Sequence, residues 1–339
     1  MLTLMSVLTY DSLETTAQAR RSPQRSVSTD SLAVVFEGNG QLSLETLQLR
    51  AVEPEDALID VLWSGISTGT ERLLWSGQMP AFPGMGYPLI PGYESVGIVA
   101  KAPQAPDLEG CKVFVPGSNG FADARALFGA TASRLVTQTD KLIPLPEYAD
   151  RDYALLALAA TAQHAVAIGG VPELIVGHGV LGRLIARIAI AEGGQPTVWE
   201  ASEHRRDMQD YQVIAPEDDA ARYATISDAS GDSDILDALI ARAKKGAAIT
   251  LAGFYPDRLS FAFPPAFMAE VRFAVAAEWT RADMDRVLAH IEAGRLSLAG
   301  LISHRRDAED AEIAYRTAFE DPACLKLVLD WRHSHDHAY

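Results

Sequence analysis

Cysteine is almost absent. Two residues, Cys111 and Cys324, in a chain of 339 can build neither a disulfide framework nor a four-cysteine zinc cluster, so the chain reads as a protein of a reduced, intracellular compartment. Basic residues are also scarce. Against 45 Asp and Glu stand only 29 Lys and Arg, a formal charge of −16, which makes nucleic acid and anionic membrane surfaces poor partners for the whole chain. Long hydrophobic runs are missing as well. The most apolar stretch, Ala154 to Val171, is alanine-rich and interrupted by Gln163 and His164, and the first residues lack the pattern of a secretory signal. No stable membrane insertion is expected. What remains is a length sufficient for two domains with their own cores.

Residues 174 to 200, LIVGHGVLGRLIARIAIAEGGQPTVWE, organise the rest. Leu174 to Val176 suits a short buried strand and leads into Gly177-His178-Gly179-Val180-Leu181-Gly182, a G-x-G-x-x-G pattern. Leu181, Leu184, Ile185 and Ile188 then recur at helical spacing, Gly193-Gly194 ends the helix, and Thr197 to Trp199 returns as a parallel strand ending in Glu200. A pyrophosphate needs exposed backbone N–H groups at a helix N-terminus. A Cβ at Gly179 would hold it off, and Gly182 lets helix and strand pack closely. The spacing therefore predicts a dinucleotide site at Gly177, Gly179, Val180, Leu181, Gly182 and Glu200. A carboxylate at Glu200 favours NAD, because it accepts from a ribose diol and repels a 2′-phosphate; Arg205 and Arg206 nearby leave NADP open.

Residues 1–30 are polar, with little apolar periodicity, and are expected to form a disordered extension. Short strands follow at Leu32 to Phe36, Leu42 to Leu49 and Ala57 to Trp63, then at Val96 to Ala100, Lys112 to Val115, Ser133 to Val136 and Leu142 to Pro146. Between them, residues 64–97 are rich in Gly and Pro yet carry Trp75, Met79, Phe82, Met85 and Tyr87. An apolar but irregular loop either fills a core or lines a pocket for a flat, greasy ligand. Asp152 to Ile168 reads as a long helix. Further strands at Tyr223 to Ser227, Ala248 to Ala252 and Arg272 to Ala276 flank a helix at Ile235 to Ala243, and Thr280 caps another that Gly294 closes. The tail, Leu296 to Ile302 with a helix around Ala308 to Phe319 and a strand at Leu325 to Trp331, is too small to fold alone and is expected to return to the first domain.

Together these parts resemble the medium-chain dehydrogenase/reductase family over roughly residues 32–331. The resemblance implies an α/β fold: a GroES-like β-rich catalytic domain (31–151, completed by 296–332), a doubly wound Rossmann domain with a parallel sheet (152–295), and a flexible tail (333–339). Gly92-Tyr93-Glu94-Ser95-Val96-Gly97 resembles the family's G-H-E-x-x-G, and Gly69-Thr70-Glu71 its G-T-D. Where zinc-dependent members place cysteine, histidine and the next ligand, this chain has Ser67 or Thr68, Tyr93 and Ala157. A lone Glu94 cannot hold Zn²⁺, which wants four ligands, so the resemblance implies a metal-free enzyme. Thr70 then matches the family's proton-relay hydroxyl, Tyr93 and Glu94 are candidates to accept or pass on a proton, and Thr161 matches a threonine flanking the nicotinamide. His164, one turn later, reads either as an acid–base group or as a satisfied core histidine.

The stretches ISTGTERLLWSGQMPAFPGMGYPLIPGYESVG, LAGFYPDRLSFAFPPAF, LISHRRDAEDAE and CLKLVLDW resemble one branch of the family. Its members use NAD to oxidise the 3-(1-hydroxyethyl) side chain of a magnesium bacteriochlorophyllide to 3-acetyl. On that likeness Trp75, Met79, Phe82, Met85 and Tyr87 are expected to cover the pigment. The enzyme is expected in the cytoplasm, touching the photosynthetic membrane transiently, and as a homodimer or a monomer. Another zinc-free quinone or enone reductase, or a non-catalytic pigment carrier, shares the cofactor features and differs in the pocket.

Overall fold

The computed structural model describes residues 30–38, 40–81, 85–122, 124–207, 209–255 and 257–334. The β-rich opening contains β1 (Asp30–Gly38), β2 (Gln41–Gln48), β3 (Asp56–Ile66), the short helix α1 (Thr70–Ser76), β4 (Leu89–Ile90), β5 (Ser95–Lys101), β6 (Lys112–Val115), β7 (Arg125–Ala126), β8 (Arg134–Gln138) and β9 (Ile143–Pro144). Next come α2 (Leu156–Gly169), β10 (Leu174–Val176), α3 (Val180–Ala191), β11 (Thr197–Trp199), β12 (Gln212–Ile214), β13 (Tyr223–Asp228), α4 (Leu236–Ala241), β14 (Ala243–Leu251), α5 (Phe263–Ala269), β15 (Arg272–Val275) and α6 (Arg281–Glu292). The chain closes with β16 (His304–Asp307), α7 (Ala311–Glu320) and β17 (Leu327–Asp330).

β10 to β15 form a parallel sheet in the order β12-β11-β10-β13-β14-β15. Strand order reverses between β10 and β13, and a ligand crevice opens at such a point in a doubly wound sheet. The β-rich half holds a sheet β2-β1-β4-β7 and a larger one, β16-β17-β3-β5-β6-β9, with β8 also on β3. β3 is buried along nearly its whole length, which explains why DALIDVLWSGI does not alternate; its polar residues are paired, Asp56 with Arg50, Asp60 with Arg134 and Ser64 with the Trp331 ring N–H. β17 pairs antiparallel with β3, so the last strand completes the sheet that the third begins.

Helix α2 joins the halves. It follows a 3₁₀ turn, Arg151–Leu155, whose start Asp150 caps by accepting from the Asp152 N–H at 2.9 Å. Its alanines let three neighbours approach: Leu156, Ala159, Ala160 and Val166 share a core with Trp63, Val96 and Phe114 from the β-rich half, with Ile185 and Ile188 of α3, and with Met284 and Val287 of α6. A side chain on Gly169 would strike the Thr250 hydroxyl of β14 at 1.9 Å, so the helix end lies directly on the parallel sheet.

Four expectations change. Residues 64–97, read as irregular, carry the short helix α1 and strand β4. The single helix Asp152 to Ile168 divides into the 3₁₀ turn and α2. The helix from Ile235 stops at Ala241, and β14 begins at Ala243, five residues before Ala248: Gly246 at φ +76° lets the strand continue through Lys244-Lys245 with a bulge opposite Tyr223–Thr225. Leu296 to Ile302 takes no regular form; Leu296, Leu298 and Leu301 enter the shared core while Arg187 binds the carbonyls of Ser297 and Ala299 at 2.7 and 2.9 Å. Because β17 lies between β16 and β3, a chain ending at Ala323 should lose cooperative folding; a sigmoidal circular-dichroism melt within a few degrees of the full chain would refute this.

Candidate active site

The glycine turn between β10 and α3 is built by close contact. Gly177 sits at φ +94°, a conformation that glycine adopts freely, and a Cβ there would lie 3.1 Å from Ser230 beyond β13. A Cβ on Gly182 would lie 1.9 Å from the Gly177 carbonyl, whereas one on Gly179 would meet nothing within 4 Å. Gly182 therefore serves packing and Gly179 faces open space. No side chain caps the start of α3, which leaves the N-terminal N–H groups near Val180 and Leu181 open to an anion.

Glu200, at the end of β11, reaches back to this turn: Oε2 accepts from the His178 N–H at 3.0 Å and Oε1 from the Ser202 N–H at 2.8 Å. The loop after it is held by residues that sequence reasoning passed over. His178 is fully buried, donates from Nδ1 to the Arg205 carbonyl at 2.6 Å and accepts from the Tyr211 hydroxyl at 2.9 Å through Nε2. Burial lowers its pKa and keeps the ring neutral. Arg183 grips Asp207 through both terminal nitrogens, at 3.0 and 2.5 Å. Arg205 thus contributes its backbone to the turn. The buried Asp228 at the end of β13 accepts from the Ser230 N–H at 3.0 Å and from the Tyr255 hydroxyl, closing the other side of the crevice.

The β-rich half supplies a pocket of hydroxyls and charges. The Tyr93 hydroxyl donates to Ser67 Oγ at 2.7 Å, with the Thr70 side chain nearby. Ser67, and not the exposed Thr68, is the residue that faces Tyr93. Below them lies Glu71, 1 % exposed; Oε1 accepts from the Ser67 N–H at 3.2 Å and Oε2 from the Tyr315 hydroxyl of α7 at 2.6 Å. Glu94, wholly buried, contacts the ammonium of Lys326, itself 1 % exposed. Burial pushes the Glu71 carboxyl up to about 7, with the Glu94 charge adding to the rise and Tyr315 opposing it. Burial also raises Glu94, against the pull of Lys326, and raises the Tyr93 phenol, which keeps its proton.

Glu71, Tyr315 and Lys326 are absent from the sequence-based site. One signal did point to the last: a lysine inside the apolar run Leu325-Lys326-Leu327-Val328-Leu329 needs a buried partner. The pocket does not suit zinc. Its side chains are hydroxyls and two carboxylates, of which Glu94 is taken by Lys326 and Glu71 by the Ser67 N–H and the Tyr315 hydroxyl, and no cysteine or histidine joins them. Among the described residues, the one group that could hold a metal is Asp307, Asp330 and His333, and there Arg305 and Arg332 already bind Asp330. The sequence alternates His333, His335 and His337 along the tail, a further candidate metal site, of which the last two lie outside the described residues.

The remaining candidates divide. Thr161 donates its hydroxyl to the Ala157 carbonyl at 3.0 Å, and His164 Nδ1 meets Asp283 Oδ2 at 2.9 Å, joining α2 to the Thr280–Asp283 capping box of α6. The structure gives His164 a helix-packing partner and does not join it to Tyr93. Met79 is buried in the core of the β-rich half with Phe36, Leu74 and Tyr315, Trp75 lies on Phe319 with ring centres 5.5 Å apart, Tyr87 donates to the Leu74 carbonyl, and Met85 packs on that core. These side chains anchor the segment inward, Trp75 from the last turn of α1 and the others from the chain that follows it. Phe82 lies outside the described residues. The exposed ring beside Tyr93 is Phe128, edge-on at 5.2 Å and held at φ +67°.

No family model matches the chain. The 2-desacetyl-2-hydroxyethyl bacteriochlorophyllide A dehydrogenase of Cereibacter sphaeroides is 52 % identical over 311 residues, covering 88 % of this chain and 98 % of that protein. Its namesake from Rhodobacter capsulatus is 50 % identical over 306 residues, with the same coverage. Among solved structures, a short chain alcohol dehydrogenase of Escherichia coli CFT073 complexed with NADH matches with a TM-score of 0.77 at 17 % identity, over 89 % of this chain and all of that one. Acetophenone reductase from Geotrichum candidum in complex with NAD matches at 0.76 and 19 %, over 90 % of this chain and 98 % of that one. The fold is that of the medium-chain dehydrogenases. The chain belongs to the 2-desacetyl-2-hydroxyethyl bacteriochlorophyllide A dehydrogenase family, a family of alcohol dehydrogenase-type oxidoreductases.

Proposed function

We propose that this chain oxidises the 3-(1-hydroxyethyl) group of a magnesium bacteriochlorophyllide to 3-acetyl with NAD and without a protein-bound metal. The observation that carries the reading is the Tyr93–Ser67–Thr70 hydroxyl cluster, set where zinc relatives polarise their alcohol. The open face at Gly179 and the uncapped start of α3 would hold the pyrophosphate, and Glu200 the adenosine ribose, its charge opposing a 2′-phosphate. When bound, the nicotinamide supplies the hydride acceptor. The chain's own residues handle the proton: Thr70 and Tyr93, half-buried at the pocket mouth, orient the carbinol oxygen, and Ser67 takes the proton onward as the C–H electron pair leaves. The product ketone conjugates with the macrocycle, which eases oxidation without a Lewis acid.

Phe128 fits a planar ring better than the loop residues do, since it is exposed beside Tyr93. A second copy fits the far edge of the parallel sheet, where β15 has one neighbour among the described strands and Val275, Phe267 and Met268 are 71, 64 and 74 % exposed. No helix among the described residues is long and apolar enough to cross a membrane, and we place the enzyme in the cytoplasm.

Incubation with NAD and the hydroxyethyl pigment should yield NADH and a shifted pigment band in the presence of a chelator; binding without either signal would mark a carrier. Tyr93→Phe and Thr70→Val should each lower turnover at least tenfold, about 1.4 kcal/mol of barrier. Unchanged rates in both would remove the cluster from the mechanism. Phe128→Ala should raise KM for the pigment several-fold and spare the Kd for NAD, and an equal change in both would count against pigment contact. Phe267→Glu should convert a dimer to a monomer by light scattering, and an unaltered mass would rule out this face.

A further inference from the structure

The pocket beneath Tyr93 contains an imbalance of charge. Two carboxylates, Glu71 and Glu94, at 1 and 0 % exposure, share it with one ammonium, Lys326, at 1 %. Lys326 touches Glu94 and so favours ionisation there. Glu71 instead has neutral hydrogen-bond partners, the Ser67 N–H and the Tyr315 hydroxyl. Ionised together, the three groups leave one net negative charge in a dry space, which a single added proton would cancel. Ser67 lies between this space and Tyr93: its Oγ accepts from Tyr93 while its backbone N–H fixes Glu71 Oε1, so a proton can go further only if the Ser67 hydroxyl turns toward that carboxylate.

We propose that Glu71 is the acceptor of the alcohol proton, reached through Tyr93 and a turn of the Ser67 hydroxyl toward the carboxylate, and that its charge offsets the positive nicotinamide. This inference rests on the reading above and deepens it. In the step, the carbinol C–H electron pair goes to the nicotinamide ring, the O–H pair becomes the second C–O bond of the ketone, and the proton ends on Glu71, later to pass to water. With a nicotinamide bound, Glu71 would take up a proton as the ring took up the hydride, so the cleft would hold the same net charge before and after. A charge swap inside one low-dielectric space avoids the cost of creating a new ion there. The groups facing Glu71 are Tyr315 from α7, Glu94 from the segment before β5, Lys326 from the segment before β17, and Ser67 and Tyr93 at the mouth. With the Glu71 carboxyl near 7, the acceptor is filled below that pH and empty above it.

Binding equilibria test this without turnover. On mixing the whole enzyme with NAD in weakly buffered phenol red at pH 7, a fraction of a proton per site should be released, because the cationic ring favours ionised Glu71. NADH, whose ring is neutral, should release none. The affinity for NAD should rise with pH through about 7, following the linked ionisation of Glu71. Glu71→Gln should abolish the release, flatten the pH dependence and lower turnover at least tenfold with little change in KM. Tyr315→Phe, which removes a bond to the ionised form, should move the midpoint upward. Equal proton release with NAD and NADH, a Glu71→Gln enzyme that keeps the pH dependence, or an unmoved midpoint in Tyr315→Phe would each overturn the proposal. If the wild type still turns over pigment with NAD in those cases, the assignment of the reaction survives and only the role of Glu71 falls. A wild type that shows NAD-linked release but no oxidation of pigment would support the cluster and refute the substrate.

Discussion

The contact between Lys326 and Glu94 ties the end of the chain to its first hundred residues, and much of the architecture answers to it. Burying two opposite charges costs several kcal/mol per ion before their attraction repays it, and breaking such a pair by removing one partner costs about 3–5 kcal/mol. The surrounding backbone makes room. At Gly65 of β3 a Cβ would lie 2.1 Å from Glu94 Oε2, so glycine is required for the carboxylate to lie against the strand. β17 must then pair with β3 in the observed register, because that register brings Lys326 beside Glu94. An apolar pair would often serve stability equally well. What the ions add is a fixed electrostatic setting for Glu71 and Tyr93.

The cofactor half is built on different physics. Its turn depends on backbone approaching backbone, with the helix at Gly182 resting against the Gly177 carbonyl and Gly179 left bare. The loop that carries Glu200 is then fixed from outside by the neutral, buried His178 and by the Arg183–Asp207 fork. Both halves are rigid for separate reasons, and α2 aligns them: its small side chains allow contact with the β-rich sheet, α3 and α6 at once.

Much of the cofactor half was legible because its signals are local. Apolar runs of three, a glycine triplet and helical spacing placed β10 and β11 at their observed bounds and α3 within a turn. The boundaries that moved involve longer-range causes: β14 continues through two lysines because β13 offers it a partner, and residues 296–302 remain irregular because Arg187 captures their carbonyls. Composition could not say which way Trp75, Met79, Met85 and Tyr87 point, since a loop that fills a core and one that lines a pocket use the same residues. Nor could it distinguish His164 as an acid–base group from His164 as the partner of Asp283, which lies 119 positions away.

From the order of residues alone came the two-part α/β architecture and the glycine cradle with its terminal carboxylate. Each rests on patterns within a few turns of chain. The tertiary structure decided which charges meet. Glu71 joins Tyr315 across 244 positions and Glu94 joins Lys326 from the other end of the molecule. Whether a carboxylate is ionised depends on the dielectric and the neighbours around it, and these exist only once β17 and α7 have packed against the opening strands.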